Sequence, residues 1–330
     1  MQTFVVRLAD GKEFGASPDE SILDAALRSG LVLPYSCRTG RCSTCKTQLK
    51  AGATTPRAAE QGLSAEELAK GWVLSCVRAA CSDVELDARP VDGKVPAART
   101  VPCRIKLLER LVPDVMRVVL RLPPTAHFKF LPGQYVDVIG PEGIRRSYSL
   151  AAAPNESQEL ELHVRRVVAG KLSAYWFDQA RCGDLLRLHG PLGTFFLGDL
   201  ADRALVFLAT GTGIAPVKAM LEGLTLGMST QRPSSIHVYW GARSQADLYW
   251  TREEGLTPHQ FIPVLSRAPS DWSGARGYVQ SALMADGHQL EQVAVYACGS
   301  NDMIHDARRQ LVAAGLDERR FHSDAFVCSA

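Results

Sequence analysis

The stretch PYSCRTGRCSTC, residues 34–45, places Cys37, Cys42 and Cys45 within nine positions, and Cys76 follows in the phrase WVLSC. Three thiols spaced C-x4-C-x2-C and a fourth further along form a soft donor set, the kind that stabilises iron–sulfide clusters. Structural zinc more often draws on two separate C-x2-C knuckles, which this loop lacks. Gly40 lets the loop wrap tightly, and backbone N–H groups near the sulfurs tune the potential of a bound cluster. The chemistry to expect is carriage of single electrons, with Cys37, Cys42, Cys45 and Cys76 as ligands of a [2Fe–2S] cluster.

Upstream, SPDESILDAALRSG reads as a capped amphipathic helix. Ser21 and Asp24 have capping-box spacing, and Gly30 is placed to end the helix. Two short strands, this helix and the cysteine loop resemble the β-grasp plant-type ferredoxin domain. The Pro/Gly/Ala-rich ARPVDGKVPAART reads as a linker, which bounds that domain at residues 1–92. Cys81 lies outside the ligand pattern and reads as a small buried residue.

RRSYSL, residues 145–150, fits an ordinary barrel strand with alternating polar residues. Its Arg146-x-Tyr148-Ser149 also resembles the flavin-binding signature of the ferredoxin–NADP reductase superfamily. That resemblance implies an Arg fork on a phosphate, a Tyr against the isoalloxazine ring and a hydroxyl at its polar edge. HVRRVVAGKLSAYW resembles the superfamily's second phosphate-binding segment, with His163, Arg165, Gly170, Lys171, Leu172 and Ser173 as candidates, and a helix N-terminus suits an anion. GDLLRLHGPLGTFF resembles the barrel-closing turn, with Gly190, Pro191 and Gly193 in place. FAD rather than FMN is what the resemblance implies, from this domain order and the adenine-side segment in relatives.

After the strand ALVFLAT comes GTGIAP, residues 211–216. Gly211 and Gly213 permit close backbone approach to a nucleotide, Thr212 adds a hydroxyl, and Pro216 suits a first helical turn. The form G-x-G-x-x-P is similar to that of the same superfamily. In YACGS, Cys298, Gly299 and Ser300 match a segment that lies beside the nicotinamide in relatives. Cys298 and Ser149 are therefore the candidate catalytic residues, and Phe326 in the tail SDAF is a candidate to cover the flavin face. The choice between NADH and NADPH should be set in WGARSQADLYW, where Arg243 and Ser244 could meet a 2′-phosphate and Asp247 could oppose one. The resemblance leans to NADH, with NADPH possible.

These residues need a scaffold of three kinds. Residues 98–199 hold strand patterns such as VMRVVLRL, QYVDVIG and ELELHVRRV, which suggest an antiparallel β-barrel for the flavin. Residues 200–330 alternate buried-type strands with helices such as PVKAMLEGL, the pattern of a doubly wound α/β nicotinamide domain. The expected fold class is therefore multidomain: β-grasp, antiparallel barrel, doubly wound sheet. Cys103, Cys182 and Cys328 carry no motif.

Composition narrows the rest. Lys plus Arg number 37 against 35 Asp plus Glu, so no global field points to nucleic acid or a membrane surface. No apolar run approaches the roughly 18 residues of a membrane span, and MQTFVVRLADGKEF lacks a signal peptide's apolar core. A cytoplasmic location follows as the expectation, where nine cysteines, an odd number, argue against a disulfide scaffold. The chain resembles reductases that carry a plant-type ferredoxin domain before the flavin and nicotinamide domains. The resemblance implies passage of electrons from NADH through FAD and the cluster to an acceptor protein. A terminal oxygenase is the first expectation for that acceptor, and a deoxysugar dehydrase is the alternative. A free flavin reductase and a non-enzymatic iron–sulfur sensor stand behind these. Arg38, Arg41 and Lys46 flank the cysteines, so an acidic partner patch is expected.

Overall fold

The computed structural model describes residues 2–91, 93–198, 200, 203–229, 231–250 and 260–327. It divides into two compact units, Met1–Val95 and Pro96–Phe326. Cys328 lies outside the described residues.

The first unit contains β1 (Phe4–Leu8), β2 (Glu13–Ala16), α1 (Ile22–Arg28), β3 (Lys46–Ala51), β4 (Thr54–Pro56), α2 (Ala65–Ala69), β5 (Trp72–Leu74), β6 (Arg78–Ala80) and β7 (Val84–Leu86). Its five-stranded sheet has the order β2-β1-β7-β3-β5, with β4 and β6 as a separate ribbon. Only β1 and β7 in that sheet run parallel, a pairing that requires a long crossover, and α1 with the cysteine loop lies in it. Helix α1 starts because the Ser21 hydroxyl accepts from the Asp24 N–H at 3.0 Å. It buries Ile22, Leu23, Ala25 and Ala26 in the same core as Val6, Leu8, Val84 and Leu86. Cys81 is a correction to the sequence reading: it is exposed, since it sits in the turn after β6, with its N–H donating to the Ala53 carbonyl at 2.9 Å.

The second unit begins with β8 (Arg99–Val112), β9 (Val115–Arg121), β10 (Tyr135–Ile139), β11 (Arg145–Ser149), β12 (Glu159–Arg165), α3 (Lys171–Ala174) and β13 (Leu185–Leu192). The antiparallel order is β11-β10-β13-β8-β9-β12, and a bridge between Leu150 and Leu162 joins the two outer strands into a barrel. Helix α3 runs on into a π-helical turn, Tyr175–Gln179, which buries Trp176 in the barrel core. Period-two alternation splits β12: Leu160, Leu162 and Val164 enter the core, while Glu161, His163 and Arg165 form the outer row. A lone barrel would leave that row wet, yet Glu161 and His163 are each only 7% exposed.

The cover comes from the parallel part of the same unit: β14 (Ala204–Thr210), α4 (Ile214–Thr225), β15 (Ser235–Ala242), β16 (Gln260–Leu265), β17 (Ala275–Arg276), α5 (Val279–Ala285), β18 (Val293–Ser300), α6 (Asn301–Ala313) and β19 (Phe321–Phe326). The sheet order is β17-β16-β15-β14-β18-β19, every pair parallel. Strand order reverses at β14, whose neighbours are β15 and β18, and such a switch point opens a crevice at the carboxyl ends of the strands. Both GTG after β14 and CGS at the end of β18 lie there. No helix among the described residues is long and apolar enough to cross a membrane.

Candidate functional site

The four candidate ligand cysteines of the first unit gather as two pairs. Cys45 and Cys76 bring their sulfurs to 3.2 Å, and the Cys37 N–H donates to the Cys42 sulfur at 3.4 Å. Two pairs of thiols match the donor set of two irons. Backbone N–H groups of Thr39 and Arg41 reach Cys37, that of Thr44 reaches Cys42, and that of Gly40 reaches Cys76. The hydrogen bond from Cys42, ahead of these amides, lowers Cys37 to about 5, and the bond from Cys45 lowers Cys76. The same sulfur–sulfur contacts, then burial, raise Cys42 and Cys45, so one thiol of each pair is held toward the thiolate, the form that ligates iron. Gly40 has φ +76°, and a Cβ there would overlap the Ala59 carbonyl oxygen. The donor set and its amide cradle fit a [2Fe–2S] cluster.

The basic flanks of this loop are not free charges. Arg38 pairs with Asp24, and Lys46 lies 3.0 Å from Glu67 and over the Trp72 ring. The acidic-partner expectation loses part of its basis, because two of its three cations are already compensated within the unit.

In the second unit, β11 is an outer strand of the barrel sheet and presents Arg146 and Tyr148 on one face and Ser149 on the other. Trp176 donates its indole N–H to the Tyr148 hydroxyl at 3.1 Å, and burial pushes Tyr148 up to about 12. Ser149 donates to Asp324 of β19 at 3.4 Å. Gly170 caps α3, where Lys171 and Leu172 follow, and the Ser173 hydroxyl accepts from the Val167 N–H at 2.7 Å. An Arg fork, a ring-bearing Tyr, a hydroxyl and a helix start form a donor set that fits a flavin dinucleotide.

At the carboxyl ends of β14 and β18, glycine is required by contact. A Cβ on Gly213 would overlap the Cys298 carbonyl oxygen, and Gly299, at φ +133°, lies against the Thr210 hydroxyl, which accepts from the Ser300 N–H at 3.0 Å. Thr212 and Pro216 are buried in the turn and the first turn of α4. The Cys298 thiol is fully buried, and burial, then nearby Asp324, raises it well above the ordinary thiol value. It is a neutral thiol rather than a nucleophile. Phe326 stands in register with Ser300 and is 37% exposed.

His163 and Arg165 meet this same turn. His163 Nδ1 lies 3.2 Å from the Tyr249 hydroxyl, and Nε2 lies 3.0 Å from Glu161. The Arg165 guanidinium stands over Gly211, so that a Cβ on Gly211 would lie 3.0 Å from Nη1. Asp247 accepts from the Ser244 N–H at 3.0 Å and from its hydroxyl at 2.9 Å. Glu161, Lys218 and Tyr249 were not singled out as site residues, and Asp324 lies in the SDAF tail without having been named; their tertiary neighbours mark them.

Three family models match in chain order: a 2Fe-2S iron-sulfur cluster binding domain over residues 7–81, an oxidoreductase FAD-binding domain over 102–197 and an oxidoreductase NAD-binding domain over 207–309. The chain is 41% identical over 322 residues to the CDP-6-deoxy-L-threo-D-glycero-4-hexulose-3-dehydrase reductase of Yersinia pestis, covering 96% of each chain. It is 34% identical to the terephthalate 1,2-dioxygenase reductase component 1 of a Comamonas species, over 96% of this chain and 95% of that one. Among solved structures it is similar to an Amycolatopsis cytochrome P450 reductase, with TM-score 0.76 and 31% identity, covering 99% of this chain and all of that one (100%). The chain belongs to the ferredoxin–NADP reductase superfamily, as an oxidoreductase in which a plant-type [2Fe–2S] ferredoxin domain precedes FAD- and NAD-binding domains.

Proposed function

We propose that this protein is a cytoplasmic reductase that takes hydride from NADH and delivers its electrons singly to an acceptor protein, with domain limits at 1–92, 98–199 and 200–330. When bound, FAD supplies two-electron uptake with one-electron release, and the [2Fe–2S] cluster supplies one-electron carriage. The remaining work falls to the chain's own groups. Gly211 and Gly213 let the nicotinamide nucleotide approach the backbone, with Thr212 offering a hydroxyl and Gly299 keeping the crevice open. A bound flavin dinucleotide would be held by Arg146 at a phosphate, by Tyr148 at its ring and by Gly170 to Ser173 at the second phosphate. Ser149, oriented by Asp324, presents a hydroxyl at the reacting edge. Cys298 fills the floor of the crevice as a neutral thiol and keeps water out. Phe326 covers the exposed face. Cys37, Cys42, Cys45 and Cys76 hold the exit centre.

The observation that carries this reading is the meeting of Ser149 and Asp324 beside Cys298 at the switch point of the parallel sheet. For the acceptor, the higher identity to the dehydrase reductase than to the dioxygenase reductase favours a deoxysugar dehydrase. The likeness in fold to a cytochrome P450 reductase favours a terminal oxygenase as the second reading. Anaerobic titration with NADH tests the core of the proposal: flavin and cluster absorbance should both bleach, and persistence of either would overturn it. Reduction rates with purified dehydrase and oxygenase components then separate the two acceptors.

A further inference from the structure

The outer row of β12 is buried although it belongs to the polar side of the barrel, and what buries it is the nicotinamide machinery. Glu161 accepts from Arg117 at 2.8 Å within the barrel, and Lys218 of α4 reaches it at 3.3 Å. Lys218, itself only 6% exposed, also donates to the Ala151 carbonyl at 3.2 Å and pairs with Glu222, whose other oxygen accepts from the Ala153 N–H at 2.8 Å. One rung along, His163 meets the Tyr249 hydroxyl, the Tyr249 ring packs edge-on against Trp240 at 5.3 Å, and Trp240 donates to the Gly211 carbonyl at 2.9 Å. Besides the Arg165 guanidinium over Gly211, the glycine turn is thus tied to β12 by its carbonyl, through Tyr249 and Trp240, and by the helix that leaves it, through Lys218.

We infer that Glu161 and His163 are positioning residues for hydride transfer, because their contacts with Lys218 and Tyr249 fix the glycine turn against the barrel that carries Tyr148 and Ser149. The inference rests on the hydride-transfer reading above, in which the nicotinamide C4 hydrogen would leave with its bonding pair as hydride to a bound flavin, and NAD+ would be released. Neither residue touches the reacting atoms. Loss of either tie leaves nucleotide binding in place and lets the donor stand off by a fraction of an ångström, which is enough to slow transfer by roughly tenfold to a hundredfold.

The test uses Glu161→Gln and Tyr249→Phe, the second removing only a hydroxyl should the first fail to fold. In flavin-free protein, amide hydrogen exchange over residues 210–218 should quicken by about tenfold, while β8, β9 and β13 keep their protection. In loaded protein, anaerobic stopped-flow should show the limiting rate of flavin reduction falling by roughly tenfold or more while the NADH dissociation constant stays within about twofold. Unchanged exchange at the turn, uniform loss of protection across the barrel, or a limiting rate equal to that of the unsubstituted protein would each overturn the inference. If NADH fails to reduce the flavin of the unsubstituted protein, the hydride reading falls, whereas the exchange experiment still decides whether β12 holds the turn.

Discussion

The hydroxyl of Ser149, the last residue of β11, donates to Asp324 Oδ2 across 175 residues of chain. Asp324 in turn lies in register with Cys298 on the neighbouring strand. A barrel hydroxyl, a carboxylate and a neutral thiol therefore meet where β11, β18 and β19 end.

Removing the hydroxyl should slow chemistry without emptying the site. Ser149→Ala is expected to lower the limiting rate of flavin reduction by NADH by roughly a hundredfold, and Asp324→Ala, which leaves the hydroxyl unoriented, by about tenfold. Single-turnover stopped-flow at saturating NADH measures both. Rates within a factor of about two of the unsubstituted protein would remove Ser149 from the reacting edge.

The exit centre should be separable from the entry. Cys76→Ser breaks the Cys45–Cys76 pair, so the reduced protein should lose its cluster signal in electron paramagnetic resonance and its ability to reduce an acceptor protein. Ferricyanide reduction by NADH, which needs only the flavin side, should continue. Retention of a full-intensity cluster signal would mean that Cys76 is not a ligand.

Asp247 should set the choice of nucleotide. Its carboxylate already occupies the Ser244 N–H and hydroxyl, the donors a 2′-phosphate would need, and adds a repelling charge. Asp247→Ser is expected to raise the NADPH-to-NADH ratio of kcat/KM by roughly tenfold, about 1.4 kcal/mol. An unchanged ratio would place discrimination elsewhere.

Acid should unfold the second unit in two stages. Burial lowers His322 from 6.5 to about 4, with Arg308 adding to it, so the unfolded chain takes up a proton first and stability falls between pH 6.5 and 4. For Glu161, burial would raise the carboxyl, but His163, Lys218 and Arg117 prevail and bring it from 4.5 to about 2. Its contribution is complete above pH 4.5 and disappears as pH falls through 2; it is on the order of 3 kcal/mol. Denaturant unfolding across this range should show His322→Phe, which can still lie on Tyr296, flattening the upper stage. The gap between the unsubstituted chain and Glu161→Gln should hold above pH 5 and close below it. A gap independent of pH would show that the Glu161 charge contributes nothing.

The cluster loop was legible because its chemistry needs fixed local spacing: Cys37, Cys42 and Cys45 lie within nine positions, and a single turn of chain delivers them. The GTG turn and the RRSYS strand were legible for the same reason, and Ser21 announced α1 through its cap. Lys218 and Tyr249 were not, because each is an ordinary residue locally and acquires meaning only from a partner more than 50 positions away, and the SDAF tail did not show that Asp324 meets Ser149. His163 and Arg165 were found by motif, but the alternation of β12 sends them toward the glycine turn, a direction visible only once β14 and α4 cover that face. The pairing of Arg38 with Asp24 was likewise hidden, since nothing in the loop shows that α1 passes beside it.

The polar character of the outer row of β12 also bears on how such chains are assembled over evolutionary time. A barrel whose neighbour is absent would turn Glu161, His163 and Arg165 to water, but it would also uncover Phe195, which packs with Met220 and Tyr296 of the parallel part. Joined, the two lobes must match, because an apolar residue opposite Lys218 would strand a charge in the seam. Exchange of lobes between distant reductases is therefore policed by complementarity, and functional hybrids should be those that inherit Glu161 and Lys218 together.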